Sequence, residues 1–77
     1  MPHVIIKIAS GKSEEQKIQL SDEIVKNVMR VLNVGEEAVS VAIEEVDSQD
    51  WAEKVYNPDI LGNWDKLYQK PGYNPFA

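Results

Sequence analysis

Residues 13–32 read SEEQKIQLSDEIVKNVMRVL, and the reading of this stretch decides the fold. Ser13 followed three residues later by Gln16 matches a capping box, in which side chain and backbone satisfy each other's free N–H groups. Glu14 and Glu15 complement the positive end of a helix dipole in its first turn. Ile18, Ile24, Val25, Val28, Met29, Val31 and Leu32 then recur at helical spacing. The pattern predicts one long helix from about Glu14 to Leu32, with Gly35 as its stop.

Outward from this helix, both flanks read as strand. In PHVIIKIA, residues 2–9, Val4, Ile6 and Ile8 share one face, and His3, Ile5 and Lys7 the other. Apolar residues on both faces predict a strand covered on both sides, or covered by a partner subunit. Ser10 and Gly11 punctuate its end. In VSVAIEEV, residues 39–46, Val39, Val41 and Ile43 alternate with Ser40, Ala42 and Glu44. Strand, long helix, strand is a βαβ unit with parallel strands and a right-handed crossover. Two strands do not make an independent sheet, so self-association is expected to complete it.

The remaining third is less regular. DSQDWAEKVY predicts a short helical turn around Trp51. Asn57, Pro58 and Asp59 read as a helix start, with Pro58 at the first helical position. Ile60, Leu61, Trp64, Leu67 and Tyr68 would then line one face, as core or dimer contact. KPGYNPFA carries a Pro-Gly turn and a closing Pro75. Residues 1–77 read as a single domain, α/β in class, with a short C-terminal helical extension.

Composition narrows the function classes. A formal net charge of −5, from eight basic and thirteen acidic residues, argues against nucleic acid, because phosphate binding needs clustered Lys and Arg. No apolar run approaches the roughly 18 residues that span a bilayer, and no secretory signal is visible. No membrane partner is expected. The chain has no cysteine, which excludes a disulfide framework and fits a reducing cytoplasm. One histidine, His3, makes a multi-histidine metal site impossible within a chain. A domain this small often gains burial by association.

Pro2 follows the initiator methionine directly. Methionine is normally removed before a small residue, and removal would leave Pro2 with a free secondary amine. An α-amino group titrates at roughly 7.7–8 in peptides, and burial or a nearby cation lowers that value. The neutral amine would then serve as a general base near pH 7. The plainer reading is that Pro2 merely opens a strand, where proline is tolerated.

The order Pro2, apolar strand, GKSEEQK, long helix, VSVAIEEV and Trp51 resembles the 4-oxalocrotonate tautomerase family over residues 2 to 51. The tail is similar to that of its longer, dimeric PptA-type subgroup. The resemblance implies that Pro2 shuttles a proton between carbon and oxygen of an enol of a 2-keto acid, with no metal or organic cofactor. It places substrate-binding residues at Lys12, Ser40 and Trp51, where family members commonly carry two cations and a pocket-closing aromatic. Here Lys12 stands for the usual arginine, so a planar bidentate grip becomes a point charge, and Ser40 carries no charge. A monocarboxylate with an apolar body, such as phenylenolpyruvate, is therefore expected over a dicarboxylate. The expected assembly is a homodimer, ahead of a hexamer.

Several residues carry plainer readings. Lys12 also reads as a solvated residue before the helix, and Trp51 as core or interface. Strand alternation points His3 away from Pro2, which makes it structural or interfacial. Tyr73 and Phe76 could line a pocket from the tail. Glu44 and Glu45 face apart and form no paired-carboxylate site. The alternative to an enzyme is a non-catalytic oligomer of the same fold that binds a small ligand.

Overall fold

The computed structural model describes residues 1–76. The chain forms two compact units, Met1–Glu45 and a second that begins at Val46. The first contains strand β1 (His3–Ala9) and helix α1 (Glu14–Leu32), followed by a 3-10 turn at Glu36–Ala38 and strand β2 from Ser40. β2 runs to Val46. β1 and β2 pair in a two-stranded parallel sheet.

The helix begins where its cap dictates. The Gln16 backbone N–H donates to Ser13 Oγ (3.1 Å), and the Ser13 N–H donates to Gln16 Oε1 (3.0 Å). Ahead of it, Gly11 turns the chain out of β1 with φ +117°, a conformation closed to side chains with a Cβ. Gly35 is not the cap that closes it. Asn33 takes the left-handed conformation, φ 55° and ψ 54°, and its N–H donates to the Met29 carbonyl. Asn is the residue other than Gly that tolerates this geometry, so it takes that place two positions earlier.

Alternation along β1 holds at its start, where Val4 and Ile6 are half-buried and His3 and Ile5 exposed. Ile18 and Ser21 of α1 share a groove with Val41 and Ile43 of β2, so the helix lies over that face. Lys17 spans it. Its ammonium pairs with Glu45 on β2 and with Glu14 (3.1 Å) one turn back. The Glu45 and then the Glu14 carboxylate raise the Lys17 pKa. Even so, no residue of α1 is buried, and Ile5, Ile18, Val31 and Leu32 are exposed.

The second unit is irregular and holds the two residues that are buried among those described, Val55 and Tyr56. A 3-10 turn at Ser48–Asp50 leads into a π-helical segment, Ala52–Ile60, and then a 3-10 segment, Leu61–Lys66. Pro58 lies inside the π-helical segment rather than at a helix start. A proline in an α-helix collides with the carbonyl four residues back. The wider coil is the form this chain takes around it, and the Leu61 N–H reaches both Tyr56 and Asn57 carbonyls. The apolar stripe from Ile60 to Tyr68 does not form a buried face. The helical path kinks at Asn63, Leu67 is extended, and Tyr68 is fully exposed. Lys70 places its ammonium 5.5 Å from the centre of the Trp64 ring.

Candidate active site

Pro2 lies at the open start of β1, half-buried, behind a fully exposed Met1. Proline has no N–H to give to a ladder, so its tie to the sheet is through its carbonyl. That carbonyl accepts from the Ser40 N–H at 3.2 Å. The same bond fixes the register. In a parallel pair, a residue that donates to position 2 stands opposite position 3. His3 and Ser40 accordingly meet side by side, His3 Nδ1 lying 2.6 Å from Ser40 Oγ. Ser40 is therefore held twice, by its backbone to Pro2 and by its hydroxyl to His3. The first turns of β1 and β2 form a small polar corner beside the proline.

Lys12 sits elsewhere. β1 has seven residues, and at about 3.3 Å per residue it separates its two ends by roughly 20 Å. Pro2 stands at one end and Lys12 beyond the other. Within one chain the structure brings Pro2 and Ser40 together and keeps Lys12 apart. Lys12 is exposed and borders a largely apolar hollow of about 230 Å³ with Ile8, Ala9, Gln16, Leu20 and Lys17, whose own ammonium is paired with Glu45 and Glu14. An ammonium at the rim of an apolar hollow suits a ligand with one anionic end and a greasy body.

In the second unit, Trp51 is half-buried, and its indole Nε1–H donates to the Tyr73 hydroxyl at 2.8 Å. Tyr73 is itself tied down. Its carbonyl accepts from the Tyr56 hydroxyl at 3.3 Å, and its ring lies 5.5 Å from that of Tyr56. Phe76 packs edge-on against Tyr56 at 5.8 Å. Tyr56, buried, is the post on which this cluster is built. The tail after the Pro-Gly turn thus folds back on Trp51 across 22 positions of sequence.

Alternation places His3 on the face away from Pro2, and in the structure its imidazole is partnered by the Ser40 hydroxyl. What alternation misses is the pairing. It assigns a face to each residue but not the residue opposite, and only the register supplies that. The Trp51–Tyr73 bond left no signal in the spacing.

The matches to known proteins follow the same elements. The family model described as a tautomerase enzyme matches residues 2–55, starting at Pro2 itself. A probable tautomerase from Xylella fastidiosa is 46% identical over 77 residues, all of this chain and 94% of that protein. Tautomerase PptA from Enterobacter sp. is 37% identical over 75 residues, covering 96% of this chain and 99% of its own. Among solved structures, a 4-oxalocrotonate tautomerase isozyme from Methylibium petroleiphilum superposes with a TM-score of 0.61 at 27% identity, over 62% of this chain and 75% of that one. DmpI from Helicobacter pylori gives 0.57 at 36% identity, over 61% and 75%. The family match runs from Pro2 to Val55 and spans the βαβ unit, and this chain belongs to the tautomerase family.

Proposed function

We propose that this protein is an isomerase that transfers a proton between the oxygen and carbon of enol forms of 2-keto acids. Once Met1 is removed, Pro2 is a secondary amine. It takes the proton from the enol hydroxyl and returns it to carbon, or runs the reverse. The observation that carries this reading is Pro2 at the open end of β1, as the first residue of the family match. Met1 is fully exposed, so its removal opens no core. An apolar wall that keeps water from the amine would favour its neutral form. The chemistry asks for no metal or organic cofactor.

Substrate class follows from charge. Ser40 is neutral, and its hydroxyl is engaged with His3, so it supplies no cation to a substrate anion. Lys12 is then one anchor for one carboxylate, which favours monocarboxylates such as phenylenolpyruvate over dicarboxylates. Because β1 holds Lys12 about 20 Å from Pro2 of its own chain, the anchor is Lys12 of the partner subunit. A homodimer also accounts for the exposed Ile5, Ile18, Val31 and Leu32 on a two-stranded sheet with an uncored helix, which an isolated chain would leave in water. A cytoplasmic location accords with the cysteine-free composition.

The test joins intact mass, sedimentation and an ultraviolet assay of phenylenolpyruvate ketonisation on one sample, with Met1 cleaved by an aminopeptidase if the mass shows it retained. A dimer with a free Pro2 is expected to turn over substrate, and Pro2→Ala to lose about 100-fold or more of kcat, the scale of one general base. A free Pro2 with no rate above background refutes ketonisation of this substrate and supports a ligand-binding oligomer.

A further inference from the structure

The contact between His3 Nδ1 and Ser40 Oγ, at 2.6 Å, can run in two directions, and charge selects between them. A neutral imidazole is able to take the Ser40 proton at Nδ1. A charged imidazole is a donor at both nitrogens. Its Nδ1–H then points at Ser40 Oγ, and the Ser40 proton is released to another acceptor. Histidine is the side chain that ordinarily changes charge between pH 5 and 8. Both residues are exposed, so a ligand reaches them. Both also stand beside Pro2, since the Ser40 N–H donates to the Pro2 carbonyl at 3.2 Å and neighbouring strands lie about 4.8 Å apart.

The groups around the pair leave the positive charge to His3. On its own face of the sheet, the register sets Lys7 opposite Glu44, about 13 Å further along the strands. Helix α1 covers the other face, where Lys17 is paired with Glu45 and Glu14 and Arg30 donates to Asn27 at 3.1 Å. Ahead of β2, the turn at Glu36–Ala38 brings two acidic groups, Glu36 and Glu37. The Pro2 amine is the remaining titratable neighbour, and it works as a base only when neutral.

We propose that the His3–Ser40 pair is a binding site for a second carboxylate on the substrate, open when the imidazole is charged and closed when it is neutral. The inference rests on the proposed function, which sets the substrate at Pro2. In the charged state the pair offers a full positive charge and a hydroxyl proton, the two things a carboxylate binds through. In the neutral state a carboxylate there meets lone pairs on Ser40 Oγ and no cation. Monocarboxylates are then accepted throughout, and enol dicarboxylates gain as the solution turns acid. By linkage, a bound dicarboxylate holds the proton on His3 as firmly as the proton holds the dicarboxylate.

The chain has one histidine, so its imidazole resonances are assigned without ambiguity. They are followed by NMR from pH 8 to 5.5 on the protein with Pro2 freed, alone, with fumarate, and with cinnamate. Fumarate stays doubly charged over this range, and cinnamate carries one carboxylate on an apolar body. Fumarate is expected to raise the His3 midpoint by about half a unit or more, as an opposite charge at close range does, and cinnamate to leave it in place. Fumarate affinity, measured by calorimetry, should rise about threefold or more in acid by the same linkage, and His3→Gln should remove that rise. A midpoint that neither ligand moves, or that both move equally, overturns the proposal. So does an acid gain in fumarate affinity that survives undiminished in His3→Gln, which would assign the charge to the Pro2 amine. Binding of fumarate needs no turnover. Activity surviving in Pro2→Ala therefore refutes the proline base on its own, whereas an unmoved His3 beside a dead Pro2→Ala refutes the second carboxylate site alone.

Discussion

The two units of this chain divide order and burial between them in an unexpected way. Met1–Glu45 carries the regular elements, a capped helix of 19 residues and a sheet strand paired in register, yet it contains no buried residue. The part from Val46 onward winds through 3-10 and π-helical turns, yet it holds both buried side chains. Regular hydrogen bonding is specified locally, by caps and periodicity. Burial is a property of what surrounds an element, and for a thin βαβ layer the surroundings must come from outside it. In the irregular unit two aromatic rings, those of Tyr73 and Phe76, gather on the buried Tyr56.

The sharpest way to break this contrast is at Tyr56. Tyr56→Ala removes the buried ring against which Tyr73 and Phe76 pack, and is expected to destabilise by about 3–5 kcal/mol in denaturant unfolding. A loss under about 1 kcal/mol, the scale of an exposed position, would show that burial in this unit is not what holds it. Next in size is the cap of α1. Ser13→Ala frees the Gln16 N–H and is expected to cost about 1 kcal/mol by the same measurement. Thr at position 13 should recover most of it.

The smallest effect concerns Lys17. Its pKa is raised above the ordinary 10.5, first by the bond to Glu45 and then by Glu14. A raised pKa means that the folded state holds the proton more tightly than the unfolded chain. The resulting stability is full below pH 10.5 and disappears as pH climbs through the folded value. Melting curves of the parent and of Lys17→Met should differ slightly at pH 8 and converge in strong alkali. A gap that widened with pH would reverse the sign and refute the assignment.

Much of the first unit was legible beforehand because its signals are local. The helix bounds follow from Ser13, Gln16 and the apolar period, and the strands from alternation. The helix ends at Leu32 as expected, but the left-handed cap that closes it is Asn33 and not Gly35, because Asn also tolerates that conformation. Pro58 misled in the same manner: a first-turn position is its common place in helices, and a π-helical coil around it is rare. The stripe from Ile60 to Tyr68 assumed one continuous helix, and the kink at Asn63 ends that assumption. Pro2 stands out from its place after the initiator methionine, and Lys12, Ser40 and Trp51 from resemblance, but the partners His3 and Tyr73 depend on strand register and on a chain return across 22 residues. Neither leaves a periodic trace.

The length of β1 has one more consequence. If each site draws its proline from one copy and its lysine from the other, β1 is the ruler that spaces the two sites of a dimer, at roughly 20 Å. At physiological ionic strength, charges in water are screened over about 8 Å. Anion binding at one site is then nearly invisible to the amine at the other. Two sites built from the same pair of chains would titrate and turn over as strangers, and saturation would follow a simple hyperbola.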